Sequence, residues 1–310
     1  MRVMLIVNSA ASSVTARTRV VIQKALAADH DVTLAETSRR GHASRLAQSA
    51  ARAGTDVVVV LGGDGTLNEA ANGLAGTDTA LAPIPGGSTN VFARTLGLSD
   101  DPVEATAAIL DALNTNAVKP VGLGSVNGRY FLFHTGLGFD AALVAEVEKR
   151  GGLKRYAGHP LFAWAGLRTY FGGYDHRSPA FAIHYPDGTE VASPFAIVMN
   201  TDPYTFLGSR PFTVAPAAAL DRPLAVLALT SMGPISFVRL AGKALTSTKG
   251  VGTTSSTDER LDVTECTVVG NRPFPYQVDG DYLGEVTELE IAHHPGILRL
   301  VIPSRAPRPA

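Results

Sequence analysis

Asp64 stands among glycines in "GGDGT", between the apolar run "VVVVL" and the helical pattern "LNEAANGL". Glycines let a chain turn with its N–H groups facing outward, and helix starts favour anions, so "GGDGT", with Gly62, Gly63, Gly65 and Thr66, reads as a phosphate cradle. A second loop, "PGGSTN", follows the next strand-like run and repeats the design. Gly87 supplies the turn, while Ser88, Thr89 and Asn90 add side-chain donors. A carboxylate repels phosphate, so Asp64 in such a loop implies either Mg²⁺ held with a nucleotide or a proton to be moved. Far along the chain, "VDGD" places Asp279 and Asp281 two residues apart. On spacing alone it reads as an Asp-Gly turn between strands.

These residues need elements to hold them. "RVMLIVN", "DVTLAET", "DVVVVLGG" and "ALAPIPGG" are strand-like, and they alternate with helical patterns such as "HASRLAQSAARAG" and "DDPVEATAAILDAL". That alternation is the pattern of an open, mostly parallel α/β sheet. Thr66 and Glu69 have the spacing of a capping box at a helix start. From Lys119 the style changes to strands separated by Asn-Gly and Asp-Gly turns, with one helical stretch over Phe139 to Phe171. The expectation is an α/β domain over 1–118 and an all-β sandwich with a helical insert over 119–310. The last residues of the second are expected to pack back on the first.

The bulk numbers exclude some classes. Hydrophobic residues at 45% and charged residues at 18% indicate a globular chain rather than a disordered one. A formal net charge of −1 argues against a general nucleic-acid partner. No apolar run approaches the roughly 18 residues of a membrane-spanning helix, and "MRVMLIVNSA" reads as a first strand rather than a signal. Cys266 has no partner for a disulfide and reads as core packing, so a cytoplasmic setting is expected.

"GGDGTLNEAANGL" followed by "PGGSTNVFARTLGL" resembles the catalytic domain of diacylglycerol kinases and related lipid kinases, sphingosine kinases among them. The likeness continues in order through "GLGFDA" (Gly136 to Ala141), "APAAALDRPLAVLAL" and "PYQVDGDYLGE" (Pro275 to Glu285). The resemblance implies an ATP-dependent kinase, with Mg²⁺, whose nucleotide contacts fall on Asn8, the following Ser9, Thr37, Gly62 to Asn68, and Ser88. It implies reacting-site carboxylates at Asp64, Asp279 and Asp281, and an acceptor contact at Asp140. Diacylglycerol, giving phosphatidic acid, is the first expected acceptor, at the membrane surface, with other long-chain alcohols and sphingoid bases open. A homodimer is left open as well.

The chain departs from that pattern in three places. The first loop is "NSAAS" where the family reads Asn-Pro-x-Ser-Gly. The Asp-Asp-Gly linked to a structural Mg²⁺ in bacterial members reads Asp221-Arg222-Pro223, which shifts the expected positive charge to Arg222. Asp281 replaces a glutamate and loses about 1.5 Å of reach.

Two other classes compete. "GLGFDA" satisfies G-x-G-x-x-A, the fingerprint of a dinucleotide-dependent oxidoreductase, but no strand ending in an acid follows at the required distance. A nucleotide-binding regulator without catalysis would also fit the altered motifs. The segment Lys149 to Phe171 sets Lys149, Arg150, Lys154 and Arg155 beside Phe162, Trp164, Leu167, Tyr170 and Phe171. That composition suits peripheral docking on an anionic membrane or packing on the sandwich, and both stay open. His134 and His159 have no partner spacing and read as structural or surface residues.

Overall fold

The computed structural model describes residues 1–149, 178–231, 233, 240 and 242–303. The chain divides into two compact units: Met1–Gly122 with Gly296–Ala310, and Leu123–Pro295.

The first unit is built on β1 (Arg2–Val7), β2 (Asp31–Glu36), β3 (Val57–Gly62) and β4 (Ala80–Pro85), all parallel, in the order β2-β1-β3-β4. The end of β16 (Asp281–Val301) adds a parallel neighbour, pairing Arg299 with Ala80 and Leu300 with Leu81. All six residues of β3 and of β4 are buried, as expected of strands covered on both faces. One sheet face packs Val57, Val59 and Leu61 against Ile22 and Leu26 of α1 (Ala16–Ala27) and Ile109 of α5 (Pro102–Asn114). Strand alternation turns Val58 and Val60 to the opposite face. There α2 (His42–Arg52) and α3 (Asp64–Leu74) pack on each other, so closely that a Cβ on Gly73 would lie 2.3 Å from the Ser44 carbonyl oxygen. Each fully buried Val, Leu or Ile here contributes about 1.5–3 kcal/mol.

The expected capping box does not form. α3 begins at Asp64 with Gly63 as its N-cap, and no side chain caps it. The Glu69 carboxylate instead accepts the Gly41 and Ala43 N–H groups, at 2.7 and 3.1 Å, and so caps α2. A helix-start spacing within the sequence was satisfied across two helices instead.

The second unit is β-rich. Its antiparallel run is β14 (Thr257–Val263), β13 (Leu224–Leu229), β10 (Phe195–Met199), β7 (His134–Gly138) and β15 (Glu265–Val278). β15 is long enough to serve two layers. Its first half pairs with β8 (Phe181–His184), and its last residues, Tyr276 to Val278, pair with β7. Between the two, the register with β16 shifts at Val269/Phe274. One core then joins Phe181, Ile183, Val268 and Phe274 to Leu137, Val198 and Val226. Cys266 belongs to this core, and burial pushes its thiol up to about 12. Helical structure is not confined to Phe139–Phe171: α6 covers Phe139–Glu148, and residues 242–246 are also helical. Lys154, Arg155, His159 and the aromatic residues from Phe162 to Phe171, like Arg150, lie outside the described residues.

Candidate active site

In the first unit the chain runs from β1 outward to β2 and then returns to β3 on the other side. Ligands in open α/β sheets bind beyond the strands' carboxyl ends at such a reversal point. Residues after β1, β3 and β4 gather there. Asn8 donates its backbone N–H to Leu61 (3.0 Å) and its side-chain Nδ2 to Thr66 Oγ1 (2.9 Å), tying the first loop to the glycine loop. Ser13 reaches the loop after β4, donating its N–H to the Gly86 carbonyl and its hydroxyl to that of Gly87.

The glycines have a structural reason beyond ligand access. Gly86 donates to the Gly62 carbonyl at 2.8 Å, and a Cβ on Gly87 would lie 2.8 Å from Gly63 Cα. The two loops lie back to back, so what approaches each backbone closely is the other loop. Asn90, at φ 49°, closes the second loop by bonding both the N–H and the carbonyl of Gly87. Ser88 is exposed and Thr89 partly so.

Asp64 is tolerated for a reason the sequence did not show. Its two carboxylate oxygens accept the Val91 and Phe92 N–H groups, at 3.0 and 3.1 Å, at the start of α4 (Val91–Thr95). The partial positive charge of that helix start answers the carboxylate without requiring a metal. A narrow cavity beneath the loops is lined by Gly62, Gly63, Asp64, Pro85 and Asn90. Thr37 extends β2 by donating its N–H to Val7. Beside it Glu36 accepts the Ser9 hydroxyl at 2.7 Å and pairs with Arg19. Leu67 and Asn68 are buried within α3.

The second unit places the remaining carboxylates. "VDGD" is a two-residue hairpin turn joining β15 to β16, with Val278 paired to Asp281 and both Asp279 (φ 48°) and Gly280 (φ 79°) at positive φ. That is the geometry for which Asp-Gly is favoured. Asp279 is buried. Its carboxylate accepts three backbone N–H groups, from Leu132 (2.7 Å), Phe133 (3.0 Å) and His134 (3.1 Å). These fix the chain between β6 (Arg129–Phe131) and β7. Asp281 is half-buried, its carboxylate 3.8 Å from Arg129.

Asp140, on α6, is also buried. It accepts the Tyr204 hydroxyl at 2.7 Å and Gln277 Nε2 at 2.8 Å, and Gln277 in turn accepts the Gly280 N–H at 2.8 Å. Burial raises the Asp140 carboxyl above its ordinary range, while the two hydrogen bonds pull the other way. Gly136 makes room for it: a Cβ there would lie 1.7 Å from Asp140 Oδ2. The G-x-G-x-x-A match is thereby corrected. Its glycines sit on β7, antiparallel to both neighbours, and the spacing serves a buried carboxylate, not a dinucleotide. Tyr204 and Gln277 went unnoticed in the sequence. Gln277 carried a signal, a polar residue in the otherwise apolar run from Phe274 to Val278; Tyr204 carried none.

The model of the diacylglycerol kinase catalytic domain matches residues 2–126. Over that segment the chain is similar to the diacylglycerol kinase catalytic domain. Among curated relatives it is 35% identical over 149 residues to a diacylglycerol kinase of Bacillus subtilis, covering 47% of this chain and 48% of the relative. It is 34% identical over 145 residues to a protein named YegS-like lipid kinase in Pseudomonas aeruginosa, 46% of each chain. The chain thus spans about half the length of these relatives. A crystal structure from Bacillus anthracis, described as that of a diacylglycerol kinase, superposes with a TM-score of 0.77 at 26% identity. That match covers 97% of this chain and 95% of the other. The α/β unit and the β-rich unit described above are therefore a fold shared with that structure.

The metal expectations divide. Among the described residues no three His, Cys, Asp or Glu side chains come together to hold a metal. Mg²⁺ commonly takes only one or two carboxylates beside nucleotide phosphates, and Asp64 among the glycine loops fits that mode. At Asp221-Arg222-Pro223 the positive charge is a side chain's own: Arg222 makes a bidentate bond to Asp262, at 3.1 and 2.6 Å, so the motif does not fit a structural Mg²⁺.

Proposed function

We propose that this protein is an ATP-dependent lipid kinase that moves the γ-phosphoryl group to a lipid hydroxyl, diacylglycerol first among the acceptors. The observation that carries the reading is the start of α3. It has no side-chain cap, lies between two glycine loops, and sits at the reversal point of a parallel sheet. The N–H groups of a helix start at such a place suit a polyphosphate.

Phosphoryl transfer asks the protein mainly to position groups and neutralise charge. The loops over Gly62–Asn68 and Gly87–Asn90 hold the triphosphate, and Asn8 and Ser13 tie the chain after β1 to the one and the other. Bound Mg²⁺, held by Asp64 and the phosphates, would neutralise charge on the transferring group. Asp281 takes the proton of the acceptor hydroxyl as its oxygen bonds to phosphorus; the bond to the bridging oxygen breaks and ADP leaves. Asp279 is the poorer base, since its oxygens already hold three backbone N–H groups. Its part is to set the turn that presents Asp281. Arg129 pairs with the Asp281 carboxylate at 3.8 Å and helps to place it. Asp140 supports the same turn through Gln277.

The test is incubation of the purified chain with labelled ATP and a lipid extract, with products identified by mass. Label in phosphatidic acid is the expected result. Label in another lipid changes the acceptor. ATP binding with no labelled lipid would replace the kinase with a nucleotide-binding regulator.

A further inference from the structure

Glu36 is the last residue of β2 and pairs with Val7, the last residue of β1. It therefore stands at the same carboxyl edge as the glycine loops. Adjacent strands lie about 4.8 Å apart, so roughly 10 Å separates the end of β2 from that of β3. A nucleoside triphosphate with its phosphates on the loops after β3 and β4 spans that distance with its ribose.

The Glu36 carboxylate is held from two sides. Ser9, in the loop after β1, donates its hydroxyl to Oε2 at 2.7 Å, and Arg19 of α1 pairs with Oε1. The pair is too exposed to add much to stability, with Arg19 32% and Glu36 44% accessible. What two partners on different segments achieve is orientation. Each oxygen accepts one hydrogen bond and keeps lone pairs for another donor. The chain of contacts Glu36–Ser9, and then Asn8–Thr66 from the neighbouring residue, connects the carboxylate to the phosphate cradle. An acidic side chain ending the second strand of an α/β nucleotide fold is placed to accept from ribose hydroxyls.

We infer that Glu36, oriented by Ser9 and Arg19, reads the ribose hydroxyls of the bound nucleotide. The inference rests on the kinase reading for its ligand, but it makes a separate demand: selection between ribose and deoxyribose.

Equilibrium titration of the full chain with ATP, 2′-deoxyATP and 3′-deoxyATP decides it, repeated on Glu36→Gln. The wild type should bind ATP about tenfold more tightly than at least one deoxy analogue, the size of one lost hydrogen bond to a charged group. Glu36→Gln should bind all three within about twofold of one another, because the neutral amide is the weaker acceptor. Wild-type protein that binds the three alike overturns the inference and leaves the kinase reading standing. Discrimination that survives in Glu36→Gln overturns it as well. Failure of the wild type to bind ATP at all overturns the kinase reading, and this inference with it.

Discussion

Three carboxylates and one imidazole carry the residue-scale argument, and burial separates their parts. Asp279→Asn replaces one acceptor oxygen with an amide that faces backbone N–H groups. At least one of Leu132, Phe133 and His134 loses its partner, at about 1–3 kcal/mol. Urea unfolding should therefore show a clear loss of stability for Asp279→Asn. Asp281→Asn should show almost none, yet should lower turnover by about 10² to 10⁴, the usual worth of general-base help. Asp281→Glu restores a longer carboxylate and should keep substantial activity. If Asp281→Asn turns over like wild type, the base lies elsewhere, with Asp64 next to be tried.

His134 is buried, stacks on Tyr204 with ring centroids 4.2 Å apart, and neither ring nitrogen has a hydrogen-bond partner among the described residues. Burial drives its pKa down to about 3. A depressed folded pKa gives stability that is complete above the unfolded value of 6.5 and drains away as pH falls towards 3, at up to about 1.4 kcal/mol per pH unit. Asp140 works in the opposite sense. Its raised pKa favours the fold at acid pH, and that contribution is lost as pH rises through the raised value. His134→Phe keeps the ring stack and removes two unpaired polar atoms. It should be neutral or stabilising at pH 7 and should flatten the acid limb between pH 6.5 and 4. A midpoint-versus-pH series that keeps its slope would exclude His134 as the titrating group.

At the scale of elements, the two glycine loops act as one part. A Cβ on Gly63 would meet Gly87 Cα at 3.4 Å, an ordinary contact, whereas one on Gly87 would meet Gly63 Cα at 2.8 Å and Asn90 Oδ1 at 3.1 Å. Gly63→Ala should fold with near-native stability. Gly87→Ala should push the loops apart, costing about 1–3 kcal/mol, and should raise the Michaelis constant for ATP more than Gly63→Ala does. Thermal melts beside ATP kinetics on both variants check the order. Reversed order would show that the loops do not move as a pair.

At the scale of the whole molecule, the proposed kinase has to reach a lipid acceptor. Among the described residues no helix is long and apolar enough to cross a membrane. Lys149, at the end of α6, is largely exposed and only loosely paired with Glu146 at 3.7 Å. With Arg150, Lys154 and Arg155 it forms a basic segment suited to anionic lipid. Changing all four to Glu should weaken binding to phosphatidylserine vesicles, and added salt should weaken the wild type likewise. Turnover of a short-chain soluble acceptor should survive. Vesicle binding that ignores both changes would return the segment to packing within its own unit.

Much of this was legible in the residues themselves. The continuous β-branched run of β3 reads as a strand buried on both faces, and β4 followed from the strand–helix alternation around it. The glycine loops and the Asp-Gly hairpin followed from backbone conformations that few other residues adopt. Tertiary structure alone decided the partners, because a side chain's reach joins positions far apart in sequence. Glu69 had a plausible partner three residues away and caps another helix instead. Asp64 looked costly until the N–H groups of Val91 and Phe92 were brought to it. Asp140 and Asp279 looked alike as carboxylates of one site. Only the fold shows one held by a tyrosine and a glutamine, the other by three backbone N–H groups, and Asp281 left as the more accessible of the pair in the turn.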